Sequence, residues 1–164
     1  MRDRILYPLR PSVGERRLLT AWIGVALLGG ILAHILVSNI SYEQSMLRVF
    51  TTSDGWFVLC GIFGSLAGLY FARRWMGSTG RFGPCRAFCG MIIVTFMAAL
   101  VGGSLMLPLY GTMFGPMLFV LMLIEKPVLA FTWIAMLLLA DKLIRDWRRE
   151  RESIFALSSF RAQS

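Results

Sequence analysis

The chain has 164 residues, of which 57% are hydrophobic and 16% are charged, and its formal net charge is +8. A soluble domain of this length needs a more polar surface, so this composition excludes one and indicates a membrane protein. Each membrane-spanning helix requires about 20 mostly apolar residues. The length therefore allows four such helices and leaves no room for a separate soluble domain.

The basic residues are distributed in groups beside the apolar runs. Basic residues in this position set membrane orientation and attract anionic lipid headgroups, so the positive charge does not indicate nucleic-acid binding. The three cysteines, Cys60, Cys85 and Cys89, are too few and too scattered for a disulfide framework.

The chain begins with a basic segment, residues 1–17, which we interpret as a cytoplasmic tail. The first predicted span covers 18–40. Within it, Ala26, Gly30 and His34 recur at every fourth residue and share one face of a helix. Small residues on a face allow another helix to approach closely, so this face is predicted to pack against a neighbour.

The second predicted span covers 55–72. Gly64 and Gly68 belong to a repeated small-residue face, which again predicts close helix packing. The segment that follows, 73–86, combines four arginines with glycine and proline, so it is predicted to be a turn on the cytoplasmic side.

The third predicted span covers 87–107, with Ala99 and Gly103 on one face. Residues 108–116 carry no charge and are predicted to form a short outer loop. The fourth predicted span is a single helix over 116–140, which would make an antiparallel hairpin with the third.

Charge asymmetry predicts the topology. Five basic residues lie in 1–17, four in 73–86 and six in the C-terminal tail, 141–164, whereas the two intervening loops carry one and none. Basic loops remain on the inner side of a membrane. The sequence therefore predicts an all-α four-helix transmembrane bundle with both termini cytoplasmic, in a bacterial inner membrane, and with the start of the C-terminal tail helical.

The segment Glu125-Lys126-Pro127 interrupts the apolar run of the fourth span. An acid or a base inside the bilayer costs about 2.5–3.5 kcal/mol on insertion scales, so such residues mark candidate functional sites. If the segment is a functional site, Glu125 carries a proton, contacts an ion or substrate, or bonds to a partner protein. As structure only, Lys126 extends towards the headgroups, Glu125 bonds within the bundle, and Pro127 kinks the helix.

A further alternative places a helix start at Pro127, which makes 109–124 a re-entrant or interfacial segment. His34, the single histidine, belongs to the same candidate polar site because a hydrogen bond to Glu125 is conceivable at similar depth. One histidine falls short of the two axial ligands of a bis-histidine haem and of the ligand set of a zinc site. No metal and no cofactor is therefore predicted.

Several membrane enzyme classes lack their required residues here, such as paired outward cysteines or two intramembrane aspartates. Three spans carry small-residue faces, more than four helices require for packing among themselves. We therefore expect a non-catalytic accessory or interaction subunit of a membrane complex, with a protein partner or a second copy. The alternatives are a homo-oligomeric transporter or channel for protons or a small solute, using Glu125 and Lys126, and a redox subunit that shares a quinone or haem with a partner.

Overall fold

The computed structural model describes residues 13–40, 52–78 and 82–161, with side chains for 13–38, 52–78 and 82–152. These residues form helices and turns, without strands. The five helices are α1 (Val13–Ile40), α2 (Thr52–Ala72), α3 (Gly83–Met106), α4 (Tyr110–Glu125) and α5 (Pro127–Arg161). Much of the predicted basic tail and of the first outer loop, residues 79–81 of the predicted turn, and residues 162–164 lie outside this description.

Four of the described helices are long and apolar enough to cross a membrane: α1, α2, α3 and α5. The sequence prediction of an all-α protein with four such helices is confirmed at this level. α4 is also apolar but has 16 residues, fewer than the roughly 20 that a bilayer crossing requires.

Glycine contacts hold α1, α2 and α3 together. A Cβ added to Gly61 of α2 would lie 2.5 Å from the carbonyl oxygen of Gly29 in α1. On an adjacent face of α2, a Cβ on Gly64 would lie 2.5 Å from the carbonyl oxygen of Ala98 in α3. The two neighbours of α2 therefore approach so closely that larger side chains would overlap their backbones.

The last helix packs along the first, in the opposite direction. Met136 of α5 lies against Gly24 of α1, and Trp147 and Glu150 lie against Gly14. A buried apolar cluster fills the interior; its members include Ala21, Val25, Leu32, Leu69, Met76, Val94, Met122, Trp133, Leu137, Ala140 and Ile144.

Polar contacts join the turn after α2 to α5. The backbone N–H of Gly77 donates to the Asp141 carboxylate at 2.6 Å, and Arg145 forms an ion pair with the same carboxylate. The Arg148 guanidinium donates to the carbonyl of Arg73. Since Gly14 also lies at this level of α5, the start of α1, the basic turn and the charged part of α5 meet at one end of the bundle.

The segment between 107 and 127 differs from the sequence prediction. Residues 108–116 were predicted as a loop and 116–140 as one helix. Instead, α4 begins at Tyr110, contains Pro116 in its interior, and ends at Glu125, and α5 begins at Pro127. A proline at the first position of a helix loses no intrahelical hydrogen bond, because that N–H has no partner there, so Pro127 starts a helix instead of kinking one.

The chain bends sharply between α4 and α5 at Lys126. Phe119 of α4 and Trp133 of α5 make an edge-to-face contact with their ring centroids 5.9 Å apart. In one straight helix these residues, 14 positions apart, would be separated by about 21 Å along the axis. α4 therefore does not continue the direction of α5, in agreement with the alternative that begins a helix at Pro127.

Candidate functional site

The break between α4 and α5 places Glu125, Lys126 and Pro127 at the junction of these two helices. The backbone N–H of Lys126 donates to the carbonyl of Met122 at 3.0 Å, which closes α4. The carbonyl of Lys126 accepts from the N–H of Leu129 at 2.9 Å, which opens α5. The backbone polar groups of Lys126 are thus satisfied locally, as a membrane interior requires.

The side chains of the predicted polar site lie in different surroundings. Glu125, the last residue of α4, is exposed, whereas Lys126 is half-buried. His34 is half-buried on α1, and its carbonyl accepts a hydrogen bond from the Ser38 hydroxyl at 2.8 Å. The bond between His34 and Glu125 stays a prediction, and so does any role of the three residues as one site.

The residues predicted to pack helices all lie in helices of the same bundle. Gly30 faces the side chains of Val58 and Ile62, Gly68 lies against the backbone of Val94, and Ala26 is buried.

Gly103 and Ala99, also predicted to pack, both meet α4. A Cβ on Gly111 would lie 1.8 Å from the carbonyl oxygen of Gly103, and a Cβ on Gly115 would lie 2.6 Å from that of Ala99. The small-residue face of α3 is therefore occupied by α4, whose first part, with Gly111 and Gly115, was predicted as a loop.

An apolar cavity of about 430 Å³ lies within the bundle. α1 packs on α2 and α5, and α4 packs mainly on α3, so among the described residues α1 and α4 have no extended contact. The cavity occupies the space between them. Its walls come from all five helices, with Ala33 and Leu36 on α1, Phe114 and Leu118 on α4, and Trp133 on α5.

Trp133 is the residue of this region that the sequence prediction missed. Its ring is 2% exposed, and its indole N–H donates to the Thr95 hydroxyl at 3.0 Å. That hydroxyl donates in turn to the Met91 carbonyl at 2.9 Å. Only the G-x3-G spacing of Gly111 and Gly115 could have indicated the helix that forms the opposite wall.

The comparisons with known proteins give no relative: no family model matches the chain, and no curated protein or solved structure matches it significantly. Chemically, the described part of the chain offers a junction with an exposed acid, a cluster of basic residues at one end, and an apolar cavity. Within that part, no three His, Cys, Asp or Glu residues come together as metal ligands.

Proposed function

We propose that this protein is a non-catalytic accessory or interaction subunit of a membrane complex, and that the end of α5 contacts the partner. The observation that carries the proposal is the length of this helix. α5 has 35 residues, about 52 Å at 1.5 Å per residue, whereas the hydrocarbon core of a bilayer is about 30 Å thick.

The end of α5 extends beyond its neighbour. Gly14, the second residue of α1, lies at the level of Glu150, and α5 continues from there to Arg161, about 16 Å further. The extension adds turns to a helix that is already formed, which costs far less than nucleating a new one, so it projects past Gly14 as part of one continuous helix. The sequence of the extension supports a protein surface because it places Ile154, Phe155 and Leu157 among polar residues.

The basic end of the bundle supports the proposed orientation. Arg73, Arg74 and Arg86 are exposed there, as are Lys142 and Arg149. Basic residues remain on the cytoplasmic side and bind anionic headgroups. We therefore infer that this end, with both termini, is cytoplasmic, in a bacterial inner membrane, and that anionic lipids surround it.

Site-specific photo-crosslinking in native membranes tests the accessory function. A photoreactive amino acid at Leu157 should capture one specific partner protein, and the same amino acid at Leu139, which is 49% exposed within the span, should capture lipid. Failure to capture a protein at Leu157 would contradict the proposal, as would capture of the same protein at both positions.

Transport is the second candidate, and the break at Lys126 favours it. In many transporters, substrate and ion sites lie where a helix is interrupted within the membrane. If protons or a small solute pass through an assembly of this chain, Glu125→Gln should abolish the flux into proteoliposomes. The control is Glu152→Gln, because Glu152 is an exposed acid near the other end of α5. Equal flux in both variants would dismiss the role of Glu125.

A further inference from the structure

We propose that the cavity between α1 and α4 binds one hydrocarbon chain of a bilayer lipid. The proposal does not depend on the accessory function. It starts from the size of the cavity, about 430 Å³, which falls within the range of pockets that hold a single ligand. Backbone forms a large part of the walls because Gly29, Gly61, Gly102 and Gly115 line them.

The chemistry of the walls selects a hydrocarbon. None of the lining residues is charged. The hydroxyl of Ser65 donates to the Ile62 carbonyl at 2.9 Å, and the indole N–H of Trp133 donates to Thr95 at 3.0 Å. These donors are already engaged inside the protein, and the one other side-chain hydroxyl of the lining belongs to Tyr110, which is 72% exposed. The buried part of the walls therefore offers no free donor to a headgroup or a polar solute.

The surroundings of the cavity identify the source of the chain. Leu107, Tyr110 and Phe114 line the cavity and are themselves exposed, so the cavity continues to the outer surface of the bundle. Phe114 lies one turn inward from Tyr110, the first residue of α4, and around helices that cross a bilayer the surface at this depth meets lipid tails. Water needs two to four polar partners to occupy a cavity, and these walls do not supply them, whereas a neighbouring lipid tail can enter without losing apolar contacts.

Tryptophan fluorescence gives a direct test because Trp133 lies on the cavity wall. Trp133 is 2% exposed. The test uses a full-length variant that keeps only this tryptophan, with the other four replaced by phenylalanine. In phosphatidylcholine vesicles, brominated acyl chains should quench its emission by half or more. A Trp56-only variant is the positive control, since Trp56 is 54% exposed to the surroundings.

Two matched substitutions on α4 separate entry into the cavity from contact at the outer surface. Leu118 lines the cavity, whereas Leu121 does not and is 46% exposed. Leu118→Phe, introduced into the Trp133-only protein, should reduce quenching by brominated chains, and Leu121→Phe should leave it unchanged. Should Leu118→Phe fail to fold, Val37→Phe fills the cavity from α1, with the exposed Val120→Phe as its control.

Two results would overturn the proposal. Brominated chains could leave Trp133 emission unaltered while quenching Trp56, or could quench Trp133 equally in the cavity-filling and control variants. Native mass spectrometry of the unmodified protein gives an independent outcome. If the unmodified protein retains one phospholipid and the Leu118→Phe variant does not, the proposal is supported. If the protein instead retains one isoprenoid molecule, the proposal is contradicted.

Discussion

The contact between Gly103 and Gly111 decides how closely α3 and α4 approach. An added Cβ on Gly111 would lie 1.8 Å from a backbone oxygen, and one on Gly103 would lie 2.5 Å from the carbonyl oxygen of Gly111. Backbone atoms cannot move aside as a flexible side chain can. Any larger residue at either position therefore pushes the two helices apart.

Gly111→Ala should lower stability. The intrinsic helix preference of alanine contributes at most about 1 kcal/mol, whereas overpacking typically costs about 1–3 kcal/mol or more. We expect a net loss near 1 kcal/mol and a fall of about 3 °C in the unfolding midpoint in detergent. Gly102→Ala is the control, since its nearest atom, the Cys60 carbonyl oxygen, is 3.3 Å away. An equal fall in both variants would contradict this account.

The Asp141 carboxylate links α5 to the turn after α2. It is 3% exposed and accepts hydrogen bonds from Gly77 and Arg145. Its removal leaves the N–H of Gly77 buried without an acceptor, and hydrogen bonds to charged groups contribute about 1.5–3 kcal/mol each.

Asp141→Ala should therefore destabilise the protein by about 2 kcal/mol. Arg145 is one-third exposed, so water compensates part of its lost ion pair. Asp146→Ala is a matched control, because Asp146 is half-buried on the same helix and should change stability by less than about 0.5 kcal/mol. Thermal unfolding of both variants checks the prediction, which fails if Asp146→Ala proves the more damaging change.

At this scale, the packing glycines could be predicted from their spacing, but the partner of each glycine could not. The four-residue interval of Gly64 and Gly68 identifies a face, and any small-residue face of another helix could have matched it. Trp133 gave no signal because a tryptophan in an apolar run resembles a lipid-facing residue. Its burial depends on Thr95, which is 38 positions away.

Among the elements, α4 and α5 give the fold its main departure from the sequence prediction. Pro108 and Gly111 were interpreted as ending the third span, and Pro116 as the first residue of the fourth. In a bilayer, a proline inside a helix is tolerated when its surroundings satisfy the freed backbone groups, and glycine provides a packing surface. Proline and glycine therefore end helices less reliably in a membrane than in water. Pro127 starts α5 because proline is favourable at the first position of a helix.

Distance measurements between spin labels at positions 113 and 139 test the sharp angle between α4 and α5. A single straight helix through both positions would separate the two labelled backbones by about 39 Å. If the helices meet at a sharp angle at Lys126, as the Phe119–Trp133 contact requires, we expect less than about 30 Å. Labels at Met113 and Leu139 are suitable because both side chains are exposed.

A second label pair controls for distortion. Val128 and Arg149 are exposed and lie within α5, so both arrangements predict about 32 Å between them. A distance near 39 Å for the first pair, with 32 Å retained for the second, would show that α4 and α5 form one straight helix and would refute the sharp angle between them.

For the whole molecule, apolar runs and charge groups predicted the number of long apolar helices, because only helices satisfy every backbone group across lipid. They could not predict the cavity, which arises because α4 packs on α3 and remains apart from α1. If α1, α2, α3 and α5 each cross the membrane, both ends of the chain lie on the same side only when α4 does not cross it too. α4 fits this requirement because its 16 residues are fewer than a crossing needs, and α5 continues towards the end of the bundle that holds Gly14.

The central claim is that the start of α1, the turn after α2 and the charged part of α5 lie together on the cytoplasmic face. Membrane-impermeant thiol labelling of intact cells tests it most directly, with single cysteines at Arg74, Arg149 and Leu109 in a protein whose native cysteines are replaced by serine. We predict labelling of Leu109 from outside, and of Arg74 and Arg149 only after permeabilisation. Labelling of Arg74 and Arg149 from opposite sides, or of both from outside, would contradict the account.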